Sequence, residues 1–273
     1  MTDSSIAFIG GGNMARSLIA GLVRQGTPAA DIHVAEPVAA LRDALAADFG
    51  VSPHATASEA AAQAGAWLLA VKPQVLREVC ATLHALATAK RPLLVSIAAG
   101  ITSAQLDRWL GGNIAVVRAM PNTPALLGAG VTGLYATAQV TAAQRAQADR
   151  VLSSAGRTVW VDDEALMDSV TAVSGSGPAY VFLLAEAMEA AGIAQGLPPE
   201  AARTLVQQTL LGASRMLDEA GEAPAELRRR VTSPGGTTHA AIEAFQAGGF
   251  EPLVAKALAA AQARGRELSA AND

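Results

Sequence analysis

A glycine-rich turn near the start of the chain has the spacing of a phosphate-binding loop. The run Gly10-Gly11-Gly12-Asn13-Met14-Ala15 follows an apolar stretch at residues 5–10 and opens a stretch of helical periodicity at residues 13–25. Glycines at the first and third positions allow a tight turn and a close approach of the backbone to a pyrophosphate, and free N–H groups at the helix start face the anion. An ordinary strand-to-helix turn is the alternative, but the strand before it and the alternating pattern after it favour dinucleotide binding. We therefore assign a cofactor role to Gly10, Gly12, Asn13, Met14 and Ala15.

An acidic residue, Glu36, ends the predicted second strand, at residues 32–36. In dinucleotide-binding folds a carboxylate at this point accepts hydrogen bonds from the adenosine ribose, and it would repel a 2′-phosphate. Glu36 therefore favours NADH over NADPH as the coenzyme. A solvated charge at the end of the strand, before Pro37, explains the presence of an acidic residue equally well. The residues leave NADH and NADPH both open.

Three later strand ends carry further candidates for the cofactor site. Val71-Lys72-Pro73 brings a cation and a rigid turn to the end of one predicted strand, and Ala98 and Asn122 follow two others. Ligands bind at the carboxyl edge of open α/β sheets. Small and amide side chains there would let a flat nicotinamide ring lie close to the backbone.

A second glycine-rich segment lies far along the chain, at Ser233-Pro234-Gly235-Gly236-Thr237-Thr238, before a predicted helix at residues 239–246. We interpret Ser233 as the helix N-cap and Pro234 as a first-turn residue. Two glycines and two threonines at a helix start would present N–H groups and hydroxyls together, which suits a small carboxylate. The alternative is a capped turn between helices.

The pattern of elements predicts two domains. Apolar runs alternate with helical stretches over about the first 160 residues, which indicates a doubly wound, mainly parallel Rossmann sheet in residues 1–163. Residues 164–273 show no convincing strand, only long helices at roughly 176–194, 198–219 and 250–268. Their apolar faces are wide, so we predict an all-α domain that packs against another subunit.

Composition narrows the classes of function. The formal net charge is −4 and the basic residues are dispersed, which argues against a nucleic-acid partner. Cys80 is the only cysteine and the four histidines are scattered, so neither a disulfide nor a metal site is expected. With no apolar run of membrane-spanning length and no basic leader, we expect a cytoplasmic protein without a membrane partner.

The chain closely resembles the pyrroline-5-carboxylate reductases. The resemblance extends over essentially the whole sequence and is carried by Phe8–Ala15, Val71–Gln74, Arg118–Pro124, Val173–Tyr180 and, most specifically, Val231–Thr238. It implies NAD(P)H-dependent reduction of L-1-pyrroline-5-carboxylate to L-proline, the last step of proline biosynthesis. It also implies a helical dimerisation domain, with dimers commonly assembled into larger rings. The site implied for the substrate carboxylate comprises Ser233, Gly235, Gly236, Thr237 and Thr238, with Thr238 near the imine nitrogen.

The possible mechanisms differ in which group supplies the proton on the substrate nitrogen. A Thr238 hydroxyl is too weak an acid to act as a tuned proton donor, so we expect the substrate to enter as a protonated iminium that Thr238 orients. We interpret His239 as a surface or packing residue. Two other functions stay open: a β-hydroxyacid dehydrogenase, for which Lys256 is the sole lysine available in the helical half, and a non-catalytic dinucleotide-binding regulator.

Overall fold

Eight strands form one sheet in the first part of the chain. A computed structural model describes residues 5–272. Its strands are β1 (Ile6–Ile9), β2 (Ile32–Ala35), β3 (Ser52–His54), β4 (Ala66–Leu69), β5 (Leu93–Ser96), β6 (Ala115–Met120), β7 (Gly130–Ala136) and β8 (Gly156–Trp160). They lie in the order β3-β2-β1-β4-β5-β6-β7-β8. The chain direction is parallel throughout except between β6 and β7.

Helices cover both faces of this sheet. They are α1 (Asn13–Arg24), α2 (Ala39–Phe49), α3 (Ala57–Ala62), α4 (Pro73–Lys90), α5 (Ser103–Trp109) and α6 (Ala142–Leu152). Side chains of β1 alternate between the two cores, because successive residues of a strand point to opposite faces. Phe8 packs with Leu18 of α1 on one face, while Ile9 packs with Leu76 of α4 on the other. The predicted Rossmann architecture is confirmed.

The second part of the chain is helical, as predicted. It contains α7 (Met167–Val170), a π-helical turn (Thr171–Gly175), α8 (Gly177–Ala194), α9 (Pro199–Glu219), α10 (Pro224–Arg230), α11 (Thr237–Ala247) and α12 (Phe250–Ala271). From residue 164 to residue 272 the described chain contains no strand.

The contacting residues form two compact units. The first reaches to Ser176 and takes in the chain from Ala260 onward, and the second is Gly177–Ala259. The end of α12 joins the first unit through side-chain amides: Gln262 Nε2 donates to Ser169 Oγ (2.6 Å) and Gln105 Nε2 donates to the Ser269 carbonyl (3.1 Å). The predicted domains, residues 1–163 for the cofactor and residues 164–273 for substrate binding and dimerisation, divide the chain by function and not by contacts. Their limits stay a prediction.

Candidate active site

The first glycine turn lies where three strand ends meet. Gly10 has φ +110°, a conformation that favours glycine, and its N–H donates to the Ala35 carbonyl at the end of β2 (3.0 Å). A Cβ on Gly10 would lie 3.0 Å from the backbone of Ala70 and Val71, just beyond β4. The strand order reverses between β1 and β4, so the turn occupies the switch point at which α/β sheets bind ligands.

The start of α1 is open and uncapped. Its N-cap is Gly12, no side chain caps it, and apart from the residues next to it in the chain no described atom comes within 4 Å of where a Gly12 Cβ would be. Ala15 is buried against the sheet, Met14 is half-buried and Asn13 is exposed. Free helix-start N–H groups above a surface that lacks side chains fit a pyrophosphate.

Glu36 and Arg42 lie together beside this turn. Glu36 is 9% exposed, and one of its carboxylate oxygens would lie 3.2 Å from a Cβ on Gly11. The other oxygen accepts a hydrogen bond from the Val38 N–H (3.1 Å). The Arg42 guanidinium folds back and donates to the carbonyls of Glu36 and Pro37, both at 2.8 Å. Glu36 is therefore not the solvated strand-end charge of the alternative interpretation, and its contact with a ribose stays a prediction.

The other predicted cofactor residues lie at successive strand ends of the same edge. Val71 and Lys72 follow β4, Lys72 is the exposed N-cap of α4, and Pro73 is the first residue of that helix. Ala98 follows β5 and is buried. Parallel strands bring these segments to one edge, as the sequence predicted.

Asn122 follows β6, but its side chain is engaged inside the protein. Its Nδ2 donates to the Ser174 carbonyl (3.1 Å), and its Oδ1 accepts from the Val131 N–H (3.0 Å). Neither partner could be predicted from the sequence, because Ser174 lies 52 residues along the chain and Val131 is reached only through the antiparallel pairing of β7 with β6. Its predicted contact with the cofactor stays a prediction, although the amide already has a partner at each end.

The capping prediction for the second glycine-rich segment was wrong. Helix α11 begins at Thr237 with Gly236 as its N-cap, so Ser233 is not the N-cap and Pro234 is not in the first turn. Residues 233–236 instead form a turn, in which the Gly236 N–H donates to the Ser233 carbonyl (3.0 Å). Gly235 has φ +68°, which places it in the left-handed region and explains why glycine stands there.

The helix start that results is accessible. Ser233, Thr237 and Thr238 are exposed, and no side chain caps α11. His239 lies one residue further on, with its Nδ1 3.5 Å from a carboxylate oxygen of Glu243 one turn along the same helix. Such a pair on a helix surface is typical of a solvated face. Lys256 is exposed in α12.

The described residues contain neither a metal-binding cluster nor a membrane-spanning helix. Within 5–272, no three side chains of His, Cys, Asp or Glu are grouped as a metal ion would need. In that part of the chain no helix has both the length and the apolar character needed to cross a bilayer.

Comparison with known proteins identifies the family. A family model described as pyrroline-5-carboxylate reductase dimerisation matches residues 164–268, and one described as NADP oxidoreductase, coenzyme F420-dependent, matches residues 5–100. The pyrroline-5-carboxylate reductase of Pseudomonas aeruginosa is 55% identical over 271 residues, which is 98% of each chain. The chain belongs to the pyrroline-5-carboxylate reductase family. This membership decides against the β-hydroxyacid dehydrogenase alternative.

Solved structures of the same family match the fold closely. A pyrroline-5-carboxylate reductase from Coxiella burnetii has a TM-score of 0.94 at 40% identity, covering 97% of this chain and 98% of that one. A Plasmodium falciparum pyrroline carboxylate reductase with NADP bound has a TM-score of 0.85 at 26% identity, covering 98% and 99%.

Proposed function

We propose that the chain reduces L-1-pyrroline-5-carboxylate to L-proline with NADPH or NADH. The observation that carries the proposal is the 55% identity, over 98% of both chains, to a pyrroline-5-carboxylate reductase. The open glycine turn at the switch point of the sheet supports it independently, since it fits the pyrophosphate of a dinucleotide. A reduced nicotinamide dinucleotide bound there supplies a hydride.

The start of α11 is the proposed receptor for the substrate carboxylate. Its amides are uncapped, and the partial positive charge of a helix start favours an anion. The turn at residues 233–236 keeps bulky side chains away from these amides, because two of its four residues are glycine. The residues assigned to carboxylate binding are Ser233, Gly235, Gly236, Thr237 and Thr238.

The same segment accounts for the handling of the proton. Hydride addition to the carbon of a C=N bond leaves a neutral amine only if the nitrogen already carries its proton. The substrate therefore enters as the iminium, and Thr238 orients its nitrogen through the hydroxyl, with water relaying protons. The acceleration then comes mainly from holding the two reacting carbons in line. A surface position for His239, paired with Glu243, is consistent with this assignment.

The coenzyme preference is proposed from Glu36. A buried carboxylate beside the glycine turn accepts ribose hydroxyls well and repels a 2′-phosphate, so NADH is the better fit. The family relative from Plasmodium falciparum was solved with NADP bound. We therefore expect both coenzymes to be used, with NADH favoured.

Self-association through the helical part completes the proposal. Residues 164–268 match the family model for the pyrroline-5-carboxylate reductase dimerisation domain. Large apolar side chains of the second compact unit are exposed to solvent. A groove of about 440 Å³ between α8 and α12 is lined almost wholly by apolar side chains, including Leu183, Leu184, Leu253 and Val254. We propose that a second copy covers this groove, that dimers assemble further into rings, and that the enzyme works in the cytoplasm without nucleic-acid partners.

The test is a coenzyme-oxidation assay with two substrates. Purified protein with NADH or NADPH should lose the near-ultraviolet absorbance of the reduced coenzyme when pyrroline-5-carboxylate is added. The product should be proline. The reverse assay, with oxidised coenzyme and 3-hydroxyisobutyrate, should show no reduction. Coenzyme binding without turnover of either compound would support a non-catalytic regulator and overturn the proposal.

A further inference from the structure

The side-chain amide of Asn122 joins three segments of the first compact unit. Asn122 itself follows β6, Val131 lies at the start of β7, and Ser174 lies in the π-helical turn. The amide donates to the Ser174 carbonyl (3.1 Å) and accepts from the Val131 N–H (3.0 Å), and Asn122 is 9% exposed. The side chain of Asn122 thus satisfies the backbone N–H of Val131 and the backbone carbonyl of Ser174, which are 43 residues apart in the chain (174 − 131). Only a group with a donor arm and an acceptor arm can do so.

The turn that Asn122 holds has an unusual backbone. The Ser176 N–H donates to the Thr171 carbonyl five residues earlier (2.8 Å), which is the π-helical pattern. Such single turns are rare and occur often at functional sites. Gly175 lies against the end of β6: a Cβ there would be 3.4 Å from the side chain of Met120. The Ser174 hydroxyl is used within the turn, where it donates to the Val170 carbonyl (2.9 Å).

The location of this turn connects it to the reaction. Met120 and Asn122 mark the carboxyl end of β6, and the segments after β4 and β5 assigned to the cofactor lie at the same edge. The turn presents Ser174-Gly175-Ser176 at that edge, and these small residues let a flat pyridine ring approach the backbone. A displacement of the turn would therefore change the position of the ring rather than the binding of the pyrophosphate.

We propose that Asn122 is a positioning residue for hydride transfer, which acts by fixing the π-helical turn at the carboxyl end of β6. This role rests on the proposed function. It does not require Asn122 to touch the coenzyme, because both ends of its amide are occupied by backbone groups. A carboxylate at this position would keep the acceptor for Val131 but would face the Ser174 carbonyl with a lone pair instead of a donor.

The test uses Asn122→Asp, because a protonated aspartic acid imitates the amide. With saturating coenzyme and pyrroline-5-carboxylate, kcat near neutral pH should fall about 10- to 100-fold, as expected for misplacement of the reacting groups by about an ångström. Burial raises the pKa of a carboxyl group. As the pH falls, the neutral acid should regain its hydrogen bond to the Ser174 carbonyl, so the ratio of variant to unmodified kcat should rise. The KM for the coenzyme should change far less than kcat.

Two variants separate positioning from general destabilisation. Asn122→Leu has neither arm, so its kcat should be low at every pH, with no rise. Asp149→Ala removes another two-bond side chain, whose carboxylate accepts from Thr158 Oγ1 (2.7 Å) and Trp160 Nε1 (3.0 Å). Both of these partners lie in β8, which is the last strand in the sheet order and is separated from β6 by β7. Asp149→Ala should lower Tm while leaving kcat below that Tm unchanged.

The outcomes distinguish this proposal from the proposed function. Suppose that the unmodified protein oxidises coenzyme with pyrroline-5-carboxylate. The role of Asn122 is then overturned, and the proposed function is kept, if the ratio of Asn122→Asp kcat to unmodified kcat does not change with pH. The same conclusion follows if the kcat of Asn122→Asp stays within about twofold of the unmodified value. An unmodified protein that does not turn over the substrate overturns both. Should Asn122→Asp not fold, Asn122→Gln keeps an amide displaced by one methylene. It should show the same loss of kcat, and unchanged kcat would again overturn the role.

Discussion

Buried polar side chains show how single residues acquire different tasks in this protein. Glu36 and Asn122 are buried to the same extent, and both lie at the carboxyl ends of strands. One oxygen of Glu36 reaches the glycine turn, where a ligand can use it, whereas both arms of Asn122 are consumed by backbone groups. Burial alone therefore does not distinguish a ligand-binding group from a positioning group. The identity of its partners does.

Replacement of Glu36 should change the coenzyme preference. In Glu36→Ser the carboxylate that repels a 2′-phosphate is gone, and the Arg42 guanidinium lies beside the vacated position. We expect the ratio of kcat/KM for NADPH to that for NADH to rise about tenfold or more, because removal of a like charge is worth more than a kcal/mol. Glu78→Ser, on the exposed surface of α4, is the control and should leave the ratio unchanged. An unaltered ratio in Glu36→Ser would place the adenosine ribose elsewhere.

The two candidates for handling the substrate nitrogen can be separated by kinetics across pH. Thr238→Ala should lower kcat/KM about tenfold or more, because one hydrogen bond to a charged group is lost. His239→Gln should change it by less than about threefold, since the His239 pair with Glu243 is exposed. Loss of activity and of the acid-side pH limb in His239→Gln, with little effect of Thr238→Ala, would reverse the assignment.

Cys80 should be inert in the native protein. Its side chain is buried in the core beside the sheet, and this burial raises the pKa of the thiol from 9.0 to about 12. The reactive thiolate is therefore scarce at pH values up to the usual thiol pKa. Native protein near pH 8 should resist a thiol-alkylating reagent over hours while urea-unfolded protein reacts fully, as measured by mass spectrometry. Equal labelling rates in the two states would contradict the raised pKa.

The helices of this protein differ in whether a side chain accepts hydrogen bonds from the backbone N–H groups of their first turn. Helices α3, α5 and α6 carry complete capping boxes, each made by a threonine and a glutamate or glutamine three residues on. Helices α1 and α11 have Gly12 and Gly236 as their N-caps and no side-chain cap. A capping box consumes the amides that an anion would use. Helices α2, α4, α9 and α10 also lack a side-chain cap, so the proposed binding of pyrophosphate and carboxylate at α1 and α11 depends in addition on the glycine N-caps, which leave room for an anion.

Glycine is required where α1 packs closely against the residues after α6. A Cβ on Gly21 would lie 2.1 Å from the Ser154 carbonyl oxygen, which is backbone and cannot rotate away. We expect Gly21→Ala to lower the free energy of unfolding by about 1–3 kcal/mol or more, as forced overpacking does. Gly212→Ala in α9 is the matched control: outside the adjacent residues and the backbone of its own helix, no described atom lies within 4 Å of the added methyl. It should raise stability by about 1 kcal/mol through helix propensity. Urea unfolding measures both, and equal effects would contradict this packing.

Two strands were missed by the sequence, for identifiable reasons. Strand β3 is Ser52-Pro53-His54, and a proline within a short run argues against a strand, although an edge position such as β3 tolerates it. Strand β7 contains two glycines, which weaken a strand pattern. Gly133 is needed because a Cβ there would lie 2.3 Å from the Val170 side chain. That contact joins segments far apart in sequence.

At the scale of the whole molecule, the second compact unit has too much open apolar surface for an isolated chain. Phe182, Leu183 and Leu253 are 65%, 65% and 63% exposed, and α8 has apolar residues around most of its circumference. Exposed apolar patches of this kind mark sites of protein association. This agrees with the dimerisation model that matches residues 164–268.

A charge placed in this patch should disrupt the assembly. Leu253→Glu should shift the sedimenting species to the monomer, because a carboxylate buried against an apolar partner costs several kcal/mol. Leu41→Glu, at a similarly exposed position on α2 of the first unit, should sediment like the unmodified protein. If Leu253→Glu keeps the unmodified sedimentation coefficient, the groove between α8 and α12 is not the interface.

The sequence by itself determined the architecture, the family and the segments that carry the proposed site. These depend on local patterns: periodicity, glycines at fixed offsets, and a contiguous signature at Val231–Thr238. Tertiary structure alone decided the partners of Asn122, the return of Arg42 to the carbonyl of Glu36, and the start of α11 at Thr237 rather than at Pro234. The physical reason is that a side-chain amide or a backbone turn is fixed by the groups that surround it in space, and those groups come from segments that the linear pattern does not bring together.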